Sequence, residues 1–400
     1  MSNERPNINE LSLTASYYKL FRTRQPVAAA QGGTDTVVVD STAAAAAAAA
    51  NQNAATTSTA SVEGGGFWEE DEWTPEDERQ AERLLEKSRE RCSIRSNGIA
   101  RKDDAQAWNK FYSSHQTNFF KDRHYLQKAF PEEFSETVTT DQSTSNGNTK
   151  HQKNKTLRKR TLVEIGWGVG NALLPFLEND RERNNDSAAD SAAAADDSVV
   201  AVEWTVHGLD LSKVAIDWLR QDERFVRAIE SSRAQAYVCD ISALPSASDS
   251  KNDPLTIPEG CRGVADVSTL LFCLSAIAPG PGMIQAVKNA AATLKSKTGV
   301  LVFRDYGRFD EAQLKLGTSR NKLLDNDNFY RKHDGTKCYY FSLEDVRDLF
   351  ENHAGLKVLE LKYLRRIYRN RGTTEVRRRV WVQGRFQQPQ WRNYNCCGHF

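Results

Sequence analysis

The chain has 400 residues with 54 Lys and Arg against 53 Asp and Glu, a formal net charge of +1. This balance excludes a uniformly basic nucleic-acid coat protein and an acidic tail protein. The charge is nevertheless uneven, because residues 356–400 hold 11 Lys or Arg and 2 Asp or Glu. A basic C-terminal block on an acidic body predicts one face that binds a polyanion.

Residues 1–66 are rich in Ala, Thr, Ser and Gly, and Ala43 to Ala50 are eight alanines in a row. Such a tract carries too little apolar surface to offset chain entropy, so we expect a disordered low-complexity tail over 1–66. No run of 18 apolar residues occurs, which predicts no membrane span. A second short tail is expected over 390–400.

The seven cysteines are an odd number and form no CxxC pair, which favours a reducing compartment. Cys396, Cys397 and His399 could suggest a metal clip. Adjacent cysteines are poor tetrahedral partners and a fourth ligand is missing, so we expect no metal.

The first ordered region is predicted over 67–135 as a helical extension. Thr74-Pro75 followed by acids predicts a helix start. The segment from Trp108 to Phe130 is dense in aromatic residues with Lys and Arg between them. It is either an amphipathic helix packed on the next domain or a surface that stacks bases and contacts phosphates.

The region 157–389, with a disordered insertion near 179–200, alternates short apolar runs with helical patterns. This alternation predicts an α/β domain with a mostly parallel sheet and helices on both faces. The last two strands have no helix between them, so they are expected to pair as a hairpin that leaves one antiparallel strand. The strands are predicted at 161–165, 202–209, 236–238, 264–274, 300–303, 356–364 and 376–386.

The strongest local signal is the glycine turn after the first of these strands, with the spacing Glu164-x-Gly166-x-Gly168-x-Gly170. Glycines there let a cofactor approach the backbone. Asp210 and Asp240 follow the next two strands, at the edge where open α/β sheets bind ligands. The first can accept the two ribose hydroxyls and the second an adenine amine. The alternative for each is a helix N-cap, but two acids at successive strand ends favour a nucleoside-bearing cofactor.

Several blocks resemble the tRNA N3-methylcytidine methyltransferases, and they keep their order from about residue 105 to 389. They are Trp108-x-x-Phe111-Tyr112, Asn118-Phe119-Phe120-Lys121-Asp122-Arg123-His124, Phe130-Pro131-Glu132, Glu164-Ile165-Gly166-x-Gly168-Val169-Gly170-Asn171, Leu274-Ser275-Ala276, Phe303-Arg304-Asp305-Tyr306-Gly307-Arg308, Asn328-Phe329-Tyr330, Asp334-Gly335-Thr336 and Arg379-Val380-Trp381-Val382-Gln383.

The resemblance implies a class I methyltransferase (Rossmann-like) fold with seven strands, preceded by an RNA-binding helical extension. It implies transfer of a methyl group from S-adenosylmethionine to N3 of cytidine in the tRNA anticodon loop, usually at position 32. The chain departs from the family at Trp167, usually a cysteine, and at Ile241, usually a leucine. The cofactor contacts that the resemblance implies fall on Trp108, Tyr112, Gly166, Asp210, Asp240, Ile241 and Leu271.

For catalysis we consider Asp305 and Tyr306, which follow a strand at the binding edge. Asp305 is a candidate to accept the N4 amine of cytosine, and its alternative is a salt bridge to Arg304 or Arg308. Phe120 and Arg123 are candidates to stack and to contact phosphate.

The last hairpin is arginine-rich, and this charge is either a solvated face or a phosphate-contacting face. We favour phosphate contact, with Arg304, Arg377 and Arg379 among the substrate-binding candidates. Because Arg377, Arg378 and Arg379 are consecutive in a strand, at most two of them can share one face.

Two other functions stay open: a methyltransferase of the same fold acting on a protein or small molecule, and a catalytically silent RNA-binding module. The expected partner is a tRNA of the threonine or arginine type, suggested weakly by Asn370-Arg371-Gly372, or of the serine type. A helper protein or an aminoacyl-tRNA synthetase is a further candidate partner. A cytoplasmic location is expected, with a mitochondrial presequence over Leu11–Arg24 as the alternative.

Overall fold

The structure is a computed structural model of the whole chain, described here for residues 67–91, 102–117, 122, 125–134, 137–139, 158–174, 177, 199–246, 253–319, 322–324, 328–369 and 376–389. The predicted tails at 1–66 and 390–400 and the insertion near 179–200 lie almost wholly outside these residues.

The strands of the described residues form one large twisted sheet and one separate hairpin. They are β1 Phe67–Glu70, β2 Thr137–Thr139, β3 Arg158–Ile165, β4 Val199–Asp210, β5 Ala234–Val238, β6 Val267–Leu271, β7 Val300–Tyr306, β8 Phe329–Arg331, β9 Lys337–Tyr339, β10 Lys357–Arg369 and β11 Val376–Gln387.

Helices occupy most of the connections between the strands. They are α1 Pro75–Arg91, α2 Lys102–His115, α3 Leu126–Ala129, α4 Lys213–Leu219, α5 Glu223–Glu230, α6 Pro281–Ala292, α7 Glu311–Thr318 and α8 Leu343–Arg347, with a π-helical turn over Asp348–His353.

The large sheet runs in the order β1-β10-β11-β7-β6-β3-β4, and β4 pairs at its other edge with both β5 and β2. Pairs among β3, β4, β5, β6 and β7 are parallel. β11 is antiparallel to both β7 and β10. Without β1 and β2, which pair at its outer edges, the sheet has seven strands. The last of these in chain order, β11, lies antiparallel between the fifth (β7) and the sixth (β10), which is the class I methyltransferase topology and confirms the predicted fold.

Each face of this sheet buries its own apolar cluster, because successive strand residues point to opposite faces. On β7, Leu301 and Phe303 join one cluster and Val302 joins the other. The first cluster includes α6, and the second includes α4 and α5. Among the described residues no helix is long and apolar enough to cross a bilayer.

Local sequence signals fix several boundaries. The side chain of Ser212 accepts the Ala215 N–H at 3.2 Å and caps α4. Ser342 and Asp345 form a capping box at the start of α8. The strand predicted over 264–274 ends earlier, because Phe272 has a φ of +54° and breaks the extended backbone.

The region predicted as a helical extension also contains strands, and its first part belongs to the main body. We call residues 67–91, that is β1 and α1, the N-terminal clamp. β1 pairs antiparallel with the outer edge of β10. Ala81, Leu84 and Leu85 of α1 pack against Leu314 of α7.

The clamp is strongly acidic and faces the arginine-rich hairpin of β10 and β11. The pairs are Glu69–Arg369 at 2.9 Å, Glu70–Arg366 at 3.1 Å, Asp71–Arg378 at 2.9 Å and Glu78–Arg365 at 2.6 Å. Four arginines of the basic C-terminal block are therefore paired with acids within the fold, and its role as a phosphate-contacting face stays a prediction.

The Asp71–Arg378 pair differs from the others in its burial, since both side chains are only 3% exposed. Asp71 also accepts the indole N–H of Trp73 at 3.0 Å. Exposed ion pairs contribute little, but removing one member of a buried pair leaves an uncompensated charge.

We therefore expect Arg378→Gln to lower the free energy of unfolding by about 3–5 kcal/mol, because Asp71 would stay buried without its partner. Arg377→Gln, at the neighbouring half-exposed position, is the control and should cost roughly 1 kcal/mol or less. Urea denaturation of both variants checks this, and equal stability of the two would contradict the account.

Candidate active site

The glycine turn after β3 is the centre of the site. Gly166, Gly168 and Gly170 have φ values of +76°, +59° and +93°, a region that residues with side chains rarely adopt. A Cβ on Gly168 would lie 2.6 Å from the hydroxyl oxygen of Tyr112. Glycine at this position therefore lets α2 pack directly on the turn.

Asp210, the last residue of β4, holds the turn in place. Its Oδ2 accepts the Gly168 N–H at 2.7 Å, and its Oδ1 accepts the Ser212 N–H at 2.7 Å. Burial raises the pKa of this carboxyl group to about 6, although the two backbone hydrogen bonds oppose the shift. Because Ser212 is the N-cap of α4, the alternative role of Asp210 as that cap does not apply.

Asp240 lies just beyond the end of β5. Its Oδ1 accepts the backbone N–H of Ser242 at 2.9 Å and the hydroxyl of the same serine at 2.6 Å. Asp210 and Asp240 both line a cavity of about 100 Å³, together with Ile241 and Leu209. We call this space the smaller cavity.

A larger cavity of about 390 Å³ lies next to the smaller one. Trp108, Tyr112, Gly166, Phe272 and Ala276 line both, so the two are contiguous. All seven residues expected to contact the cofactor line at least one of them: Trp108, Tyr112, Gly166, Asp210, Asp240, Ile241 and Leu271.

Trp167, which departs from the family pattern, is accommodated by a neighbouring glycine. A Cβ on Gly208 would lie 1.1 Å from the indole ring, so the ring occupies the space that a side chain there would need. The indole also packs edge-on against Phe225, with ring centroids 5.5 Å apart. The bulky residue thus stays in the wall of the larger cavity, of which it is a lining residue.

Tyr306, at the end of β7, lies among aromatic and cationic groups in the wall of the larger cavity. Its ring centroid is 5.3 Å from that of Phe272 and 6.0 Å from that of Tyr340. The Arg379 guanidinium lies 5.5 Å from the ring centroid and the Lys332 amine 5.8 Å from it. This combination suits a flat polar ring that needs both stacking and electrostatic contacts.

Asp305 is fully buried and is not among the residues lining either cavity. Its two oxygens accept the backbone N–H groups of Ser275 and Tyr306, each at 2.9 Å. Burial raises the pKa of this carboxyl group to about 6. Asp305 makes no salt bridge to Arg304 or Arg308 and instead holds the backbone of two cavity-wall residues. The expected contact to the N4 amine of cytosine stays a prediction.

Arg304 does not line either cavity. Its guanidinium donates to the side-chain oxygen of Gln383 across the β7–β11 pair, and lies 4.6 Å from the Tyr125 ring centroid. It therefore ties the start of α3 to the sheet, and its expected contact with the substrate stays a prediction.

Arg379 does line the larger cavity and forms a buried ion pair with Asp310 at 2.8 Å. Arg377 is half-exposed on β11 and lines neither cavity. Phe120, Arg123 and the Cys396–His399 segment lie outside the described residues. Within the described residues no group of three His, Cys, Asp or Glu could hold a metal ion.

Three residues that sequence reasoning missed also belong to this site. Phe272 directly follows β6 and lines both cavities in a left-handed conformation, a kind of strain that clusters at functional sites. Asp104 of α2 and Lys337 of β9 form an ion pair at 2.5 Å that joins the walls of the two cavities. The position of Phe272 after an apolar strand was the available signal, whereas the Asp104–Lys337 pair joins segments far apart in sequence.

Comparison with known proteins gives three informative relatives. The tRNA N(3)-methylcytidine methyltransferase Mettl2 of Drosophila melanogaster is 30% identical over 323 residues, covering 80% of this chain and 83% of that protein. The tRNA N(3)-cytidine methyltransferase METTL2 of Danio rerio is 29% identical over 335 residues, covering 80% and 84%. The chain belongs to the tRNA N(3)-methylcytidine methyltransferase family.

A third relative of this family is the tRNA(Thr) (cytosine(32)-N(3))-methyltransferase of Saccharomyces cerevisiae, 28% identical over 81% of this chain and 43% of that protein. No protein-family model matches the chain. Among solved structures, a S-adenosylmethionine-dependent methyltransferase of Anabaena variabilis aligns with a TM-score of 0.38 and 13% identity, over 71% of this chain and 94% of that one. The fold assignment rests on the strand order.

The methyl donor of this family member is S-adenosylmethionine. The described residues fit that group, because two carboxylates at successive strand ends face one narrow cavity. Gly166 of the glycine turn lines the same cavity, so the backbone there borders the space that the cofactor would occupy.

We expect Asp210→Ala to weaken S-adenosylmethionine binding by at least about tenfold, because a charged acceptor for two hydroxyl groups is lost. Isothermal titration calorimetry measures this, and a thermal melt tests the loss of the contacts to Gly168 and Ser212. Asp217→Ala, an exposed carboxylate on α4, is the matched control. Unchanged affinity of Asp210→Ala would contradict the assignment.

Proposed function

We propose that the chain transfers a methyl group from S-adenosylmethionine to N3 of cytidine in tRNA. The observation that carries this proposal is the contiguity of the two cavities, one with paired carboxylates and one walled by aromatic rings and cations. Membership in the family supports the choice of substrate.

In this proposal the smaller cavity holds the nucleoside part of the cofactor. Asp210 would accept the ribose hydroxyls with the lone pairs that its two backbone hydrogen bonds leave free. Asp240 would accept the adenine amine, while Trp108 and Tyr112 of α2 cover the site. When bound, the cofactor supplies an electrophilic methyl group at the junction with the larger cavity.

The larger cavity would hold the cytosine. Neutral cytosine carries an in-plane lone pair on N3, so no general base has to create the nucleophile. The chain must take the base out of its stack and align it, and positioning of this kind supplies much of the barrier reduction. Phe272 and Tyr306 are placed to stack the ring.

The polar edge of cytosine then needs an acceptor for its N4 amine. Glu164 and Asp334 line the larger cavity, which supports giving this role to one of them rather than to the buried Asp305. Methylation at N3 leaves the ring cationic, and a negative charge on these groups would stabilise the product. Asp305 contributes by fixing the backbone of Tyr306 and Ser275.

Finer features of the proposal are a target at position 32 and a tRNA of the threonine or arginine type rather than the serine type. Residues 370–372, which suggested that branch, lie outside the described residues. A helper protein or synthetase remains part of the proposal for the substrate complex. The free thiols of Cys239, Cys261, Cys273 and Cys338 support a reducing compartment such as the cytoplasm.

Nucleoside mass spectrometry tests the proposed function. Purified protein, unmodified tRNA and S-adenosylmethionine with a deuterated methyl group should yield labelled N3-methylcytidine, and a Tyr306→Ala variant should yield much less. Label in protein or a small molecule, with none in tRNA, would favour a different methyltransferase. Binding of tRNA without cofactor binding would favour a silent RNA-binding module.

The pH dependence follows from the two buried carboxyl groups, whose pKa values are both raised to about 6. Above that pH both are ionised and hold the backbone N–H groups of the site. Below that pH, protonation removes these charged acceptors. As the pH falls, the logarithm of kcat/KM should therefore decrease by between one and two for each pH unit.

An Asp305→Asn variant separates the two groups. Because it removes one of the titrations, its acid limb should approach a slope of one, whatever its absolute rate. An acid limb identical in shape to that of the unchanged protein would show that Asp305 does not control the profile.

A further inference from the structure

Beside the larger cavity, three cations stand in a row across three adjacent extended segments. Residues 322–324 pair with β8, since Leu323 and Tyr330 form a bridge and the Arg331 N–H donates to the Lys322 carbonyl at 2.8 Å. This register puts Lys322 directly opposite Arg331. The β8–β9 register puts Arg331 directly opposite Lys337. We call Lys322, Arg331 and Lys337 the cationic row.

Like charges directly opposite each other on neighbouring strands destabilise a sheet. Neighbouring strands lie about 4.8 Å apart, so the row spans roughly 10 Å. In the described part of the chain one member, Lys337, is compensated by an ion pair with Asp104. Arg331 is exposed and Lys322 is half-exposed, so both are accessible to a ligand.

The row also has a defined place relative to the site. Lys322 and Lys337 both line the larger cavity, and Lys332, the residue after the row's middle member, lines it too. A nucleotide whose base enters the cavity on this side would bring its backbone close to this rim. The arginines of the β10–β11 hairpin are instead mostly paired with acids of the N-terminal clamp.

We propose that the two accessible members of the cationic row, Lys322 and Arg331, bind the phosphate backbone of the RNA next to the nucleotide that enters the larger cavity, while the buried Lys337 stays paired with Asp104. This inference rests on the proposed function and names the surface that holds its substrate. Phosphate groups would relieve the repulsion between the opposed cations while releasing counterions, which makes binding dependent on salt.

The test is a salt titration of tRNA binding, followed by fluorescence anisotropy. The double variant Lys322→Gln with Arg331→Gln should bind tRNA about five- to tenfold more weakly near 0.1 M salt, and its log–log salt slope should fall by somewhat under ~2. Affinity for S-adenosylhomocysteine and the melting temperature should not change. Lys337 is left intact because its partner Asp104 is part of the cofactor-binding wall.

Two controls make the result specific. The pair Lys297→Gln and Lys357→Gln removes two exposed cations at the opposite edge of the sheet and should leave the slope unchanged. The exchange Lys322→Arg with Arg331→Lys keeps both charges and should retain most of the affinity. If the double variant proves unstable, Arg331→Gln alone, on an exposed side chain, should still lower the slope by nearly ~1.

The outcomes separate this inference from the proposed function. Unchanged tRNA affinity and slope in the double variant, with the unchanged protein still forming N3-methylcytidine, would overturn the cationic row alone. Absence of tRNA binding by the unchanged protein would overturn both. Salt-sensitive binding of an acidic protein in place of tRNA, lost in the double variant, would reassign the row to a protein partner and also overturn the inference.

Discussion

The hydrogen bonds of the Asp210 carboxylate are the constraint on which the site depends. One oxygen holds the glycine turn through Gly168, and the other holds the start of α4 through Ser212. The glycine turn also supports α2, because Gly168 leaves room for the Tyr112 side chain of that helix. A single buried charge therefore joins two strand ends and a covering helix around one cavity. Its raised pKa reflects the cost of placing a charge where a ligand needs one.

Which charged residues are available to a ligand depends on their ion pairs as much as on their positions in the sequence. The basic hairpin at the C-terminal end of the domain is matched by the acidic N-terminal clamp, so its positive charge is used inside the fold. Lys322 and Arg331, two accessible cations, lie instead beside the larger cavity, on short extended segments. Local net charge along a sequence therefore does not show which cations are paired, because ion pairs form between segments far apart in the chain.

The sequence predicts the sheet and the smaller cavity well, for physical reasons. Apolar runs ending in glycine or aspartate define parallel strands, and their carboxyl ends meet at one edge. Asp210 and Asp240 were found in this way. The role of Asp305 could not be predicted, because residues adjacent on a strand point to opposite faces and only the packing shows which one faces the cavity.

The ion-pair partners of residues far apart in the chain also could not be predicted from the sequence. Arg378 and Arg379 look alike in the chain, yet one is paired with Asp71 and the other with Asp310. The sequence also could not show that the bulky Trp167 ring packs into the space that the absent side chain of Gly208 leaves. The hairpin of β8 and β9 and the short helix α7, which form much of the larger cavity, are too short to show a clear periodicity.

The most direct measurement of the central claim is a crystal structure of the protein with S-adenosylhomocysteine and cytidine monophosphate. The account predicts ribose hydroxyls on Asp210, the adenine amine beside Asp240, and the sulfur atom at the junction of the two cavities. It predicts the pyrimidine stacked on the aromatic surface that Phe272 and Tyr306 form together, with N3 facing the sulfur. A cofactor bound elsewhere, or a sulfur atom turned away from the larger cavity, would contradict it.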